Sequence, residues 1–87
     1  MMKLYVLVDP SLSKSQKAVQ TAHAVAQYLI DNPNTDWDNG TLVVLKARDI
    51  DREAAYADSI FREPDLENKI TAITKLGNNL YPDYVLL

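Results

Sequence analysis

Apolar positions along the chain come in blocks with two different rhythms. Lys3 to Val8, "KLYVLV", is a near-continuous apolar run rich in valine. Such a run predicts a buried strand. "DPSLS" breaks it, because Pro10 lacks an N–H donor and Asp9 and Ser11 favour turns. Ser13 is the predicted N-cap of a helix running to about Asp31, with Gln16 three residues on completing a capping-box pattern. Val19, Ala22, Val25, Ala26, Leu29 and Ile30 repeat at the helical period and form its expected core stripe. Pro33 and the polar loop ending at Gly40 close that helix.

Thr41 to Ala47, "TLVVLKA", predicts a second buried strand. "RDIDREAAYADSIFRE", Arg48 to Glu63, reads as a second helix capped by Asp49, with Ile50, Ala54, Ala57, Ile60 and Phe61 inward. Lys69 to Leu76 alternates branched apolar residues with threonine and lysine, and predicts a third strand. "YVLL" at the end of the chain predicts a short fourth. The order β-α-β-α-β-β implies a small α/β domain with a mixed sheet of about four strands. The last two strands are expected to pair antiparallel through a short turn.

Size and composition narrow the picture. The chain has 87 residues, which is one domain, 1–87, on one modest core. With no cysteine there is neither a disulfide framework nor a thiolate metal site, and a single histidine cannot make a zinc site alone. No metal and no cofactor is expected. The longest apolar run is far short of the ~20 residues of a membrane span. The N-terminus lacks the apolar region of a signal peptide, so a cytoplasmic location is expected. Net charge is −3, unlike an evenly basic nucleic-acid binder. Yet Lys14 and Lys17 stand in a stretch, residues 11–25, that has no acid, whereas acids crowd residues 49–67.

The candidate chemistry sits on the first helix. Gln16, Gln20, His23 and Gln27 fall within about 60° of one another at 100° per residue. That row borders the expected core stripe, where a side chain is both held and reachable. Lys14 and Lys17 lie near the helix N-terminus, which already favours an anion. Asp9 follows the first strand at its carboxyl end, where ligands of α/β sheets bind. The bland alternatives are a satisfied structural His23, solvated lysines and a turn-forming Asp9. Trp37, in a polar loop between acids, is either a base-stacking platform or, as favoured, a residue tucked against its own domain.

"DPSLSKSQKAVQTAHA", from Asp9 to Ala24, resembles the first strand–helix junction of the type-2 peptidyl-tRNA hydrolases. Asp9, Lys14, Gln20, His23 and Ala24 match that family's aspartate, lysine and Q-x-x-H-A helix start. "VVLKARDIDREA" and "AITKLGNN…YPDYVLL" resemble its later strands more loosely. The resemblance implies catalytic roles for His23, Gln20, Lys14 and Asp9 in cleaving the ester between peptide and tRNA. The basic edge and polar row of the first helix, together with Lys75, give an expected ligand site of Lys14, Lys17, Gln16, Gln20, His23, Gln27 and Lys75. Departures are specific: Gln16 stands for a lysine, Ser15 for a glycine, Leu7 for an arginine, and Lys75 for an aspartate. A cation in place of that acid points to a phosphate-bearing nucleotide, a cyclic or short oligonucleotide, or an RNA end such as that of tRNA, bound with catalysis weakened or lost. The alternatives are an active peptidyl-tRNA hydrolase and a non-catalytic homodimer or higher homo-oligomer, since a small sheet leaves exposed edges.

Overall fold

The computed structural model of the chain describes residues 2–87. In chain order it contains β1 (Lys3–Val8), α1 (Lys14–Asp31), β2 (Thr41–Lys46), α2 (Ile50–Ala54), β3 (Ser59–Glu63), a 3-10 turn (Pro64–Leu66) and β4 (Lys69–Gly77). The four strands form one mixed sheet in the order β2-β1-β4-β3. β1 and β2 are parallel, and β4 runs antiparallel to both β1 and β3. The predicted class, an α/β domain with a four-stranded mixed sheet, holds at this level.

β1 is buried from Leu4 to Val8 because both of its faces are covered. Leu4, Val6 and Val8 point toward α1, where Ala24, Val25 and Tyr28 meet them. Tyr5 and Leu7 point the other way. They pack with Leu45, Ile73 and Ala54 of α2, under Leu80, Tyr81 and Tyr84 of the chain's last stretch. Trp37 is buried against Leu4 and Tyr28, and its indole N–H donates to the Thr41 carbonyl at 3.0 Å. It is a packed domain residue, as favoured.

Three sequence expectations are corrected. Helix α1 keeps its Ser13 cap, whose hydroxyl accepts from the Gln16 amide at 3.2 Å, but it is rotated relative to the expected stripe. Its buried residues are Gln20, Ala24 and Tyr28. Val25 is half-buried, Ala22 and Ala26 are exposed, and Val19, Leu29 and Ile30 are 45%, 46% and 71% exposed. The helix carries apolar residues on two sides, and periodicity cannot say which side meets the sheet. The second helix is only Ile50–Ala54, and Ser59–Glu63 is strand β3. Pairing with β4 overrides the helical period of that segment, as sheet context commonly overrides propensity. The last residues form no sheet strand. Instead they lie along the outer edge of β2, where the Lys46 amide donates to Val85 O at 2.8 Å and the Leu87 amide to Val44 O at 3.1 Å. The antiparallel terminal pair is therefore β3 with β4.

That pair contains a β-bulge. Phe61 opposes Ala72 and Arg62 opposes Ile70, so Thr71 has no partner on β3. Thr71 and Ala72 consequently both face α1, while Ile70 and Ile73 both face α2. An extra residue of this kind bends a strand and re-aims a side chain, here the Thr71 hydroxyl.

Candidate functional site

The expected row on α1 is split between different surroundings. Gln20 is fully buried; its Nε2 donates to Gln16 Oε1 at 3.1 Å and its Oε1 accepts from the Thr71 hydroxyl at 2.6 Å. Its amide is thus committed to tying α1 to β4. His23 is exposed and stacks on Phe61 of β3, with ring centroids 4.5 Å apart and planes 3° apart. Gln27 bonds the Asp31 carboxylate at 2.9 Å along the helix. Lys75 sits opposite Tyr5, on the α2 side of the sheet, with its ammonium 3.7 Å from Asp58. The sheet therefore separates Lys75 from His23. Lys14 is exposed and Lys17 half-buried at the start of α1. Of the residues singled out in the sequence, Gln16 and Gln20 are brought together, and His23, Lys75 and Asp9 are held apart in three places.

Asp9 belongs to a different group. It lies at the carboxyl end of β1 and is 8% exposed. Its Oδ1 accepts from the Ser11 hydroxyl at 2.7 Å and the Ser11 amide at 2.9 Å, an Asx-type turn. Its other oxygen lies 3.1 Å from the Lys69 ammonium at the start of β4. Burial pushes this carboxyl's pKa up, but Ser11 and Lys69 outweigh that effect and the net shift is downward. The group stays ionised. Its turn forms one wall of a cleft of about 310 Å3 lined by Asp9, Pro10, Ser11, Ala47, Arg48, Ile50 and Lys69. Because β1 and β2 are parallel neighbours, this cleft opens at the carboxyl ends of both, the usual ligand position in α/β sheets.

Arg48 is held from behind. Its guanidinium lies 4.2 Å over the Tyr84 ring and donates to the Asp83 carbonyl. Its backbone amide and that of Asp49 donate to the buried Glu53 carboxylate at 3.1–3.2 Å. Tyr84 donates its hydroxyl to the same carboxylate at 2.5 Å. That hydrogen bond, with burial and the Glu53 charge, pushes the Tyr84 phenol up to about 12. The residues that line the cleft thus include two basic ones, Arg48 and Lys69, and one carboxylate, Asp9. Sequence reading missed both cations. By sequence Arg48 opens a predicted helix and Lys69 is the polar end of a predicted strand, and only the fold brings them to one cleft with Asp9.

A second, larger hollow of about 470 Å3 lies at the other end of the sheet, lined by Met2, Tyr28, the 32–36 loop, Asp58 and Leu76. The charged residues among its described lining are Asp36 and Asp58, and Asp58 lies 3.7 Å from the Lys75 ammonium. Among the described residues no group of three or more His, Asp or Glu side chains could hold a metal ion. No helix of the described chain is long and apolar enough to cross a membrane.

Neither protein-family models nor characterised proteins yield a match to this chain.

Proposed function

We propose that the protein is a non-catalytic binding module for a phosphate-bearing ligand, a nucleotide or short oligonucleotide, held in the cleft at the carboxyl ends of β1 and β2. The observation that carries this reading is the pairing of Arg48 and Lys69 around that cleft. Lys69 has a side chain 54% exposed, so its ammonium retains donors beyond its contact with Asp9. Arg48 offers a planar fork suited to phosphate oxygens and is braced by Tyr84. Lys14, three residues beyond Ser11, adds charge near the same loop. A binding role is favoured over ester hydrolysis because the Gln20 amide is already committed within the protein and His23 stacks on Phe61, away from Asp9.

Titration of labelled nucleoside phosphates and short RNAs at low salt tests the reading. Saturable binding is expected, weakened by about tenfold in Lys69→Ala and Arg48→Ala and by added salt. Absence of saturable binding, or binding indifferent to both substitutions, overturns it. Release of peptide from a peptidyl-tRNA analogue, lost in His23→Ala, would replace it with the hydrolase reading.

A further inference from the structure

The side of α1 that faces away from the sheet is as apolar as a core surface. Ser15, Val19, Ala22, Ala26 and Leu29 follow one another at spacings of four, three, four and three, with Ala18 and Ile30 beside them. All seven are exposed. Val19, Leu29 and Ile30 expose 45%, 46% and 71% of their surface. No Asp, Glu, Lys or Arg occurs between Lys17 and Asp31. A helix covering one side of a small sheet ordinarily turns charges outward. Alternating steps of three and four are instead the signature of a seam that packs on another helix at about 20°. Ala18, Ala22 and Ala26 at its centre would let two helix backbones approach closely.

We infer that this seam is a self-association surface, on which α1 of a second copy of the chain lies antiparallel about a two-fold axis near Ala22. Charge decides both the occupant and the direction. The first turns of α1 carry the exposed Lys14, the half-buried Lys17 and no acid. The loop that follows it carries Asp36 and Asp38, both exposed, while Asp31 of its last turn is bonded to Gln27 and to Ser59 of β3. Antiparallel pairing sets the basic end of each helix against the acidic end of the other and opposes the two helix dipoles. Parallel pairing would set lysine on lysine. A lipid surface fits less well, since the flanks of such a face are normally basic along their whole length. The 18-residue helix is about 27 Å long. A contact of that length buries less than a standard interface, so the dimer is expected to be weak, with a dissociation constant on the order of 10–100 μM. The surface lies away from the Arg48–Lys69 cleft and its test is independent of ligand binding.

Sedimentation equilibrium across that concentration range should show a reversible dimer. Ala22→Glu would place two like charges at the axis and raise the dissociation constant at least tenfold, while leaving nucleotide binding unchanged. The chain has no native cysteine, so a single introduced thiol reports contact cleanly. Ala22→Cys should form a covalent dimer on mild oxidation, because residue 22 meets its own copy at the axis. Ser15→Cys should not, because antiparallel pairing puts Ser15 against Leu29 of the second copy. A chain that stays monomeric at about 1 mM overturns the proposal, and the seam then belongs to a helix of a different protein or to a lipid surface. Equal crosslinking of Ser15→Cys and Ala22→Cys overturns the antiparallel arrangement.

Discussion

The two faces of the central strands β1 and β4 are closed by different chemistry. On the α1 face hydrogen-bonded polar side chains are buried among the apolar ones, which include Leu4, Val6, Val8, Tyr28 and Trp37. Ala24 and Ala72 pack beside the Gln20–Thr71 pair, and Ser59 donates its hydroxyl to Asp31 at 2.9 Å. Thr74 lies there too, its hydroxyl buried without a partner. On the α2 face the filling is bulky and aromatic. Leu7, Leu45 and Ile73 lie under Tyr5, Tyr81 and Tyr84, whose rings meet edge-on at 5.6 and 4.9 Å. The first face combines apolar volume with matched polar pairs, and the second depends on volume. A helix of 18 residues closes the first, whereas a helix of 5 needs the final stretch of the chain to finish the second.

The difference can be broken from either side. Leu7→Ala should produce the largest loss, about 2–5 kcal/mol in urea unfolding, because it opens a cavity in the volume-filled face. A loss below ~1 kcal/mol would show that this face collapses onto the gap. Gln20→Leu should cost about 1–3 kcal/mol by stranding the Thr71 hydroxyl. The double variant Gln20→Leu, Thr71→Val should recover most of that, since removing both partners leaves nothing unpaired. Additive losses in the double-mutant cycle would mean that Gln20 acts through shape, and the contrast between the faces would lapse.

The smallest effect belongs to Tyr84→Phe, about 1 kcal/mol, the net worth of its hydrogen bond to Glu53. This contribution depends on pH in a set direction. The folded-state pKa of Tyr84 is raised from 10.0 to about 12, so folding favours the protonated phenol. Its contribution is complete below the ordinary value, falls as pH rises between the two, and is gone above the higher one. The gap in unfolding free energy between wild type and Tyr84→Phe should therefore narrow over that interval. A gap that stays constant would remove the Tyr84–Glu53 bond from the account.

Much of the fold was legible in the residues, and the reasons are local. β1 announced itself because a run buried on both faces has no polar alternation to confuse it. Ser13 and Pro33 marked the ends of α1, since caps and prolines act within a few residues. Residues 48–63 were misread because Ala54, Ala55 and Ala57 suit a helix, while strand β3 gains its stability from β4, outside the segment. The rotation of α1 was hidden for a related reason. Both sides of the helix are apolar, and the choice between them rests on Gln20 reaching Thr71, 51 positions away. The candidate site suffered most. Its parts come from the end of β1, the end of β2 and the start of β4, and only Asp9 stood in a stretch whose neighbours drew notice.

The unpaired Thr71 in β4 has a consequence for how the chain tolerates changes in length. Alternation is in phase on both sides of the bulge, with Ile70 and Ile73 directed to one face and Ala72 to the other. Losing one residue elsewhere in the paired part of β4 would invert the facing of every residue beyond it. Losing Thr71 would leave that facing intact and sacrifice its bond to Gln20 and the 2.9 Å bond its carbonyl accepts from the Asp9 amide, which makes it the one point in this strand where a one-residue deletion preserves the facing of the rest.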